Sequence, residues 1–460
     1  MNSLTVVILA AGLGTRMKSK RAKVLHRAGG LTLIEHVVNT ALELTTPDHV
    51  VSVIGHQAEH VEQILAPRGI RFARQTEQKG TGHAVMVCRE MIEPLGGLVM
   101  VLYGDCPLLS AATLRRLTEL EQAADHAATL ITTTLEDPTG YGRIVLDKVG
   151  NVQAIVEQRA ATPEQLAIKL SNPGIYCFRG DLLWKHISEL EPNNPAHELY
   201  LTDMVEIFRR HNHSVGTLHL EDPNQLLGIN TRIELAAVDQ ILRERKVREV
   251  MLAGVTVEKP ETVTIDSQVS IGPDTIVEPF ARILGTTRIG EDCRIGAGAI
   301  VHDSELADGV DIGPYTIVGT SHLETGAHVG PFARLRMFNH VEARAHVGNF
   351  VELKKTRLGA GAKAMHLAYL GDSDIGEKVN IGAGTITCNY DGIQKHQTKI
   401  GDGAFVGSNS TLVAPIEVGG ESYVGAGSVI THPVPSGSLA LGRSRQVNKE
   451  GWAQRRKKKT

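Results

Sequence analysis

The chain has 460 residues, 51 of them acidic and 48 basic, for a net charge of −3. That length allows two separate hydrophobic cores, and the near-neutral balance excludes nucleic acid or an anionic membrane as the main partner. Aromatic residues make up only 4 % while glycines number 47, a composition suited to repeated tight turns.

Taken in chain order, Leu4 to Ala10 reads as a buried parallel strand leading into a loop from Ala11 to Arg16. The apolar run is too short for a signal peptide, and no stretch approaches the length that spans a bilayer. Leu33 to Leu44 has helical periodicity. His49 to Ile54 and Leu98 to Tyr103 are further strands, the second ending in Gly104-Asp105. This is α/β grammar, a mostly parallel sheet with covering helices. Ligands of such sheets gather at the C-terminal ends of the strands, where Gly12 and Asp105 fall. Cys88, Cys106, Cys177, Cys293 and Cys388 are scattered, odd in number and without metal-ligand spacing, as free thiols of a reducing cytoplasm are.

A half-exposed helix is expected from about Thr231 to Val250, where Leu235, Val238, Leu242 and Val247 form a patchy apolar stripe. It divides the chain into a domain at 1–232, a helical linker at 233–253 and a second domain at 254–460. Beyond it the pattern changes. Aliphatic-glycine pairs recur from Ile271-Gly272 and Ile289-Gly290 to Val418-Gly419 and Val424-Gly425, several six residues apart and others eighteen. Three hexapeptides make one triangular coil of a left-handed parallel β-helix, with the aliphatic side chain inside the prism. Glycine at every third position, which collagen needs, is absent. Two tracts, Arg334 to Val347 and Thr387 to Lys399, interrupt the rhythm and are expected to be loops thrown out from one face. The basic run Arg455 to Lys459 is expected to be a solvated, disordered tail.

The loop Leu9-Ala10-Ala11-Gly12-Leu13-Gly14-Thr15-Arg16-Met17 lets backbone approach a ligand, and its amides suit phosphate. Arg16 and Lys23 suit the charge of a leaving pyrophosphate. This segment, with Lys23-Val24-Leu25, closely resembles the signature of sugar-nucleotide pyrophosphorylases. Gln75, Gly80-Thr81-Gly82, Tyr103-Gly104-Asp105, Gly140-Tyr141-Gly142-Arg143, Glu157, Asn172 and Asn230 resemble its continuation. Joined to the β-helix, the chain from about Leu4 to Trp452 resembles the family of bifunctional UDP-N-acetylglucosamine pyrophosphorylase/glucosamine-1-phosphate N-acetyltransferases.

The resemblance implies roles residue by residue. Leu9, Ala10, Ala11, Gly12, Gln75, Gly80 and Thr81 would hold UTP, with Tyr103 and Gly104 beside them. Arg16 and Lys23 would serve its phosphates. Gly142, Glu157 and Asn172 would recognise the sugar, and Asp105 and Asn230 would hold Mg²⁺, a hard cation that wants oxygen ligands. Asn172 precedes Pro173-Gly174 where the family has Thr-Gly, which implies a small change in sugar affinity. In the second half His366 matches the catalytic base, a residue type able to take an amine proton near neutral pH. Arg336, Lys354, Tyr369, Asn380, Asn389 and Tyr390 match residues that bind the sugar phosphate. Ala383, Asn389, Tyr390, Ser408, Ala426 and Arg443 match the acetyl-CoA site. Met337-Phe338 stands where relatives begin a Pro-Gly turn.

The implied function is acetylation of glucosamine-1-phosphate, then uridylylation of the product, feeding peptidoglycan and lipopolysaccharide synthesis. The implied assembly is a homotrimer in the cytoplasm. Two other readings stand beside it. One is a solenoid scaffold with enzymology in the first half alone. The other is a pyrophosphorylase for a different sugar nucleotide.

Overall fold

The computed structural model describes residues 3–457, and the chain divides into two units between Leu242 and Arg243. The division falls inside the helix Arg232–Leu252. That helix begins at a capping box. Thr231 Oγ1 accepts from the Glu234 amide at 3.3 Å, and the Glu234 carboxylate takes the Thr231 amide at 2.6 Å.

The first unit holds a ten-stranded sheet. Strands Arg71–Arg74, Val50–Ile54, Leu4–Leu9 and Leu98–Tyr103 lie side by side and parallel. Val50–Ile54 is buried along its whole length, as a strand covered on both faces should be. Past Leu98–Tyr103 the direction reverses. Tyr176–Arg179 runs antiparallel to it, and His126–Thr134 antiparallel to Tyr176–Arg179. Leu170–Asn172, Gly142–Leu146 and Val152–Val156 complete an antiparallel extension. The sheet is therefore mixed, which corrects the expectation of a mostly parallel one. The connection from Leu146 to Val152 is a tight turn, closed by Gly150 N–H donating to Asp147 O at 3.1 Å. A connection that short permits only antiparallel pairing.

The second unit is a three-faced parallel prism. Its faces carry 11, 10 and 9 short strands, each complete coil giving one strand to each face. Ile265, Ile283, Val301, Val318, Leu335, Leu353 and Leu370 stack in register along one inner column, all 0 % exposed. One coil cannot bury that column and a stack can. A single core cluster runs from Val247 to Val434, while the first unit has its own clusters.

Only one of the two irregular tracts leaves the prism. Arg334 to Val347 stays in register with the coils around it, contrary to the expected loop. Its departure from the repeat is absorbed at a corner where Met337 (φ 64°) and Phe338 (φ 59°) are both left-handed, a conformation bulky residues seldom take. The second tract does leave the prism between Cys388 and Thr398, with Tyr390 bridged to Lys395 across it. The basic tail is likewise not wholly irregular. Trp452–Lys457 is an exposed helix, and the expectation for Lys458 and Lys459 lies outside the described residues.

Candidate functional site

In the first unit the residues singled out by sequence surround the C-terminal ends of Leu4–Leu9 and Leu98–Tyr103. A cavity of about 370 Å³ there is lined by Leu9 to Leu13, Lys23, Gln75, Gly80, Thr81, Tyr103 and Asp105. A Cβ on Gly12 would meet nothing within 4 Å, so its backbone lies open to a ligand. Gly14 is left-handed (φ 62°), and a Cβ there would stand 2.6 Å from Lys23 Cβ. Glycine at 14 thus brings Lys23 against the loop. Gln75 Nε2 donates to Gly80 O at 3.1 Å, and Thr81 Oγ1 accepts from the Leu201 amide at 3.0 Å. Gly104 N–H donates to Leu9 O at 3.0 Å, joining the two strand ends. Gln78 and Glu198 also line the cavity and were not picked out by sequence. Gln78 Nε2 donates to Ala11 O at 3.2 Å. Its closeness to Gly80 was the one available signal, whereas Glu198 arrives only through the fold.

Four charged or polar groups converge beside that cavity. The Ile229 amide donates to Asp105 O at 3.1 Å, which brings Asn230 to the strand end. Lys23 Nζ pairs with the Asp105 carboxylate and lies 3.3 Å from Asn230 Oδ1. Arg16 Nη2 donates to the same Oδ1 at 2.8 Å. One carboxylate and one amide oxygen therefore face a single position, and a cationic ammonium already bridges them. That donor set fits a hard divalent cation with sites left for phosphate oxygens.

Gly142, Glu157 and Asn172 form a second group. A Cβ on Gly142 would lie 3.1 Å from Ile155 Cγ2 and 3.6 Å from both Glu157 Oε1 and Asn172 Cβ, so the three residues sit side by side. Asn172 Nδ2 donates to Tyr176 Oη at 2.7 Å, and its Oδ1 accepts from the Gly174 amide at 3.1 Å. Gly174 is left-handed (φ 84°), and a Cβ would run into the Tyr103 ring at 2.3 Å. Burial raises the Glu157 carboxyl above its ordinary range, with Asp203 and Glu198 adding to it. Asp203 is itself pushed up to about 6 by burial and then by Glu206.

In the prism, register gathers the remaining residues. Arg336, Lys354 and Gly371 stack on one face in three consecutive coils, beside the column Glu352, Tyr369 and Ile386. Arg336 Nε donates to Glu352 Oε1 at 2.6 Å, and Lys354 Nζ to Asp372 Oδ2 at 2.8 Å. Asn389 Nδ2 reaches the same Asp372 oxygen and lies 3.5 Å from Tyr369 Oη. Burial pulls the Lys354 ammonium down, but its Asp372 partner outweighs this and leaves it raised. Lys395, on the loop that leaves the prism, is a further residue the sequence did not mark. The Lys354 ammonium pushes Lys395 below the usual lysine range.

His366 ends the strand Lys363–His366 and is exposed. Lys363 pairs with Asn380 and Ala364 with Ile381, so Ala383 lies one coil below His366. The same registers place Ser408 and then Ala426 in the next two coils, with Gly442 and Arg443 following. Backbone bonds tie this edge together, from Gly384 N to Leu367 O, Asn409 N to Ala383 O and Gly427 N to Ser408 O, at 2.7 to 2.8 Å. The result is a column of small side chains running from His366 toward Arg443. Asn380 sits on the neighbouring strand, and exposed Tyr390 donates its hydroxyl to Gly392 O at 2.6 Å.

Both units match known families. Residues 6–172 match the MobA-like NTP transferase domain, 268–303 the bacterial transferase hexapeptide (six repeats) and 397–432 the hexapeptide repeat of succinyl-transferase. The chain is 62 % identical to the bifunctional protein GlmU of Solibacter usitatus, over 99 % of this chain and 98 % of that one. It is 47 % identical to that of Koribacter versatilis, over 98 % and 97 %. It is 49 % identical to that of Anaeromyxobacter sp. (strain Fw109-5), over 99 % and 93 %.

Proposed function

The chain belongs to the family of the bifunctional protein GlmU, and from that premise we propose how its residues divide the work. It is a bifunctional transferase of UDP-N-acetylglucosamine synthesis, with a nucleotidyltransferase unit and an acetyltransferase unit. The prism acetylates glucosamine-1-phosphate from acetyl-CoA. The first unit then transfers a uridylyl group from UTP to N-acetylglucosamine-1-phosphate. Five free cysteines suit a cytoplasmic enzyme.

The observation that carries the uridylyl assignment is the convergence of Arg16, Lys23, Asp105 and Asn230 at the mouth of the cavity. A sugar-phosphate oxygen attacks the α-phosphorus in line, a new P–O bond forms, and the bond to pyrophosphate breaks. No protein nucleophile is needed, so alignment and charge stabilisation supply the catalysis. The open backbone at Gly12 receives the nucleotide, Gly142, Glu157 and Asn172 hold the sugar, and Arg16 and Lys23 meet the charge growing on pyrophosphate. A Mg²⁺ held by Asp105 and Asn230 would add Lewis-acid charge at the phosphate oxygens.

In the prism, Arg336, Lys354 and Lys395 offer three cations to one phosphate, with Tyr369, Asn380, Asn389 and Tyr390 around the sugar. The column Ala383, Ser408 and Ala426 leaves a smooth edge for the pantetheine arm, ending at Arg443 for a CoA phosphate. His366 takes the amine proton as nitrogen attacks the thioester carbonyl and the CoA thiolate leaves. The active form is a homotrimer. The test is to replace Asp105 by Ala and assay each half-reaction against Mg²⁺. Uridylyl transfer should fall by at least about 10²-fold while acetyl transfer continues. Uridylyl transfer indifferent to both the substitution and chelation would overturn the assignment.

A further inference from the structure

The first unit carries a cluster that neither half-reaction uses. His186 ends the helix Gly180–His186, and Glu189 closes the turn Ile187–Glu189 that continues it. Three residues apart on one helical path, their side chains share a face. His211 caps the helix Met204–Arg210, with its amide held by Ile207 O and Phe208 O. His186 Nδ1 lies 2.6 Å from Glu189 Oε1, and His211 Nε2 lies 3.0 Å from Glu189 Oε2. The two imidazole rings are 4.1 Å apart, with the His213 ring 5.7 Å from that of His186.

We propose that His186, Glu189 and His211 form a site for a borderline divalent metal ion of the Zn²⁺ class. Two imidazoles and one carboxylate are the ligands such an ion selects, whereas Mg²⁺ prefers oxygen alone. Their donor atoms lie within 4.8 Å of one another, and ligands of a tetrahedral zinc ion stand roughly 3.3 Å apart. The Glu189 carboxylate already contacts both rings, one oxygen to each.

The site is held in advance on one side and open on the other. His186 is 3 % exposed, with its ring against Phe208 at 6.3 Å. Its Nε2 is buried with no hydrogen-bond partner among the described residues, so Nδ1, aimed at Glu189, is the nitrogen left to coordinate. His211 and Glu189 are partly exposed and give a route of entry.

Strand direction separates this site from the nucleotide cavity. The cavity is at the C-terminal end of Leu98–Tyr103. Arg179, just before the His186 helix, pairs with Leu98 at the other end of that strand. His211 and His213 lead into Ser214–Leu220, which starts at that same end.

The full-length chain, stripped with a chelator, would be titrated with Co²⁺ in the presence of excess Mg²⁺, following its visible absorbance. One equivalent with a four-coordinate spectrum is expected, displaced by Zn²⁺. Glu189→Gln and His211→Ala should each weaken binding by at least about 100-fold, since lost outer-shell partners alone cost up to that much. Both should keep uridylyl transfer, which shows that they are folded. His340→Ala, in the separate cluster His322, Glu324 and His340 of the prism, should leave Co²⁺ binding unchanged. No saturable four-coordinate binding, unchanged affinity in His211→Ala, or loss in His340→Ala would each overturn the proposal.

Discussion

His366 stands exposed at the end of its strand with Ala383 one coil below, so truncating it removes an imidazole and little packing. His366→Ala is expected to lower kcat for acetyl transfer by about 10²- to 10⁴-fold, the usual range for a general base. Uridylyl transfer should be unchanged. Parallel assays of both half-reactions check this. Glu121 raises a different question, because no chemistry claims it. It is 2 % exposed, accepts from Thr129 Oγ1 through Oε2, and is pushed up to about 7 by burial, against the opposing pull of Thr129 and Arg179. A carboxyl raised in the folded state binds its proton more tightly there than when unfolded. Stability is therefore lost as pH rises between the ordinary value of 4.5 and about 7. Glu121→Gln should remove that loss, on the order of 3 kcal/mol across the window. Denaturant midpoints at pH 4.5 and pH 8 measure it, and an identical pH slope in both proteins would sink the idea.

Elements differ in how plainly the sequence announces them. The strand Leu4–Leu9 and the prism from Ile271 to Val424 were legible because each repeats one local rule, burial on both faces or an aliphatic side chain turned inward. The antiparallel extension from His126 to Tyr176 was not, because its pairing depends on turn lengths and on long-range partners. The coil through Arg334 to Val347 misled for a related reason. Its corner takes two successive left-handed residues, Met337 and Phe338, without glycine, and the register holds regardless. Among the residues lining the cavity, those on the glycine-rich loop were visible, while Glu198 is supplied by a distant segment; Lys395 was missed although it lies on the same loop as Asn389 and Tyr390. The turn Asn172-Pro173-Gly174 shows what such an element contributes. Its glycine is left-handed and abuts the Tyr103 ring, and its amide holds Asn172 Oδ1. Gly174→Ala should disturb both contacts. kcat/KM for N-acetylglucosamine-1-phosphate should fall on the order of 10²-fold, the cost of about 1 Å of misplacement. KM for UTP should move far less, and steady-state kinetics with each substrate varied would separate the two.

At the scale of the whole molecule, each hydrophobic cluster is built within one unit. A chain ending at Leu242 should therefore fold and retain uridylyl transfer while sedimenting as a single copy. The full chain should sediment as three copies. A full-length monomer that acetylates at the normal rate would contradict the trimer. The prism has a consequence of another kind. Arg336, Lys354, Tyr369 and Asn389 come from successive coils, Ala383 shares the coil of Asn389, and Ser408 and Ala426 come from the next two, so the molecule measures distance by counting coils of roughly 4.8 Å each. A gene duplication that added one coil ahead of Arg288 would lengthen the column and leave every spacing within the site intact. The same added coil between Arg336 and Asn389 would part the side chains proposed to bind phosphate by one step, and between Ser408 and Ala426 it would carry Arg443 away from the coenzyme phosphate it is proposed to meet. Length in this half of the protein can drift only outside the stretch that the two substrates must span together.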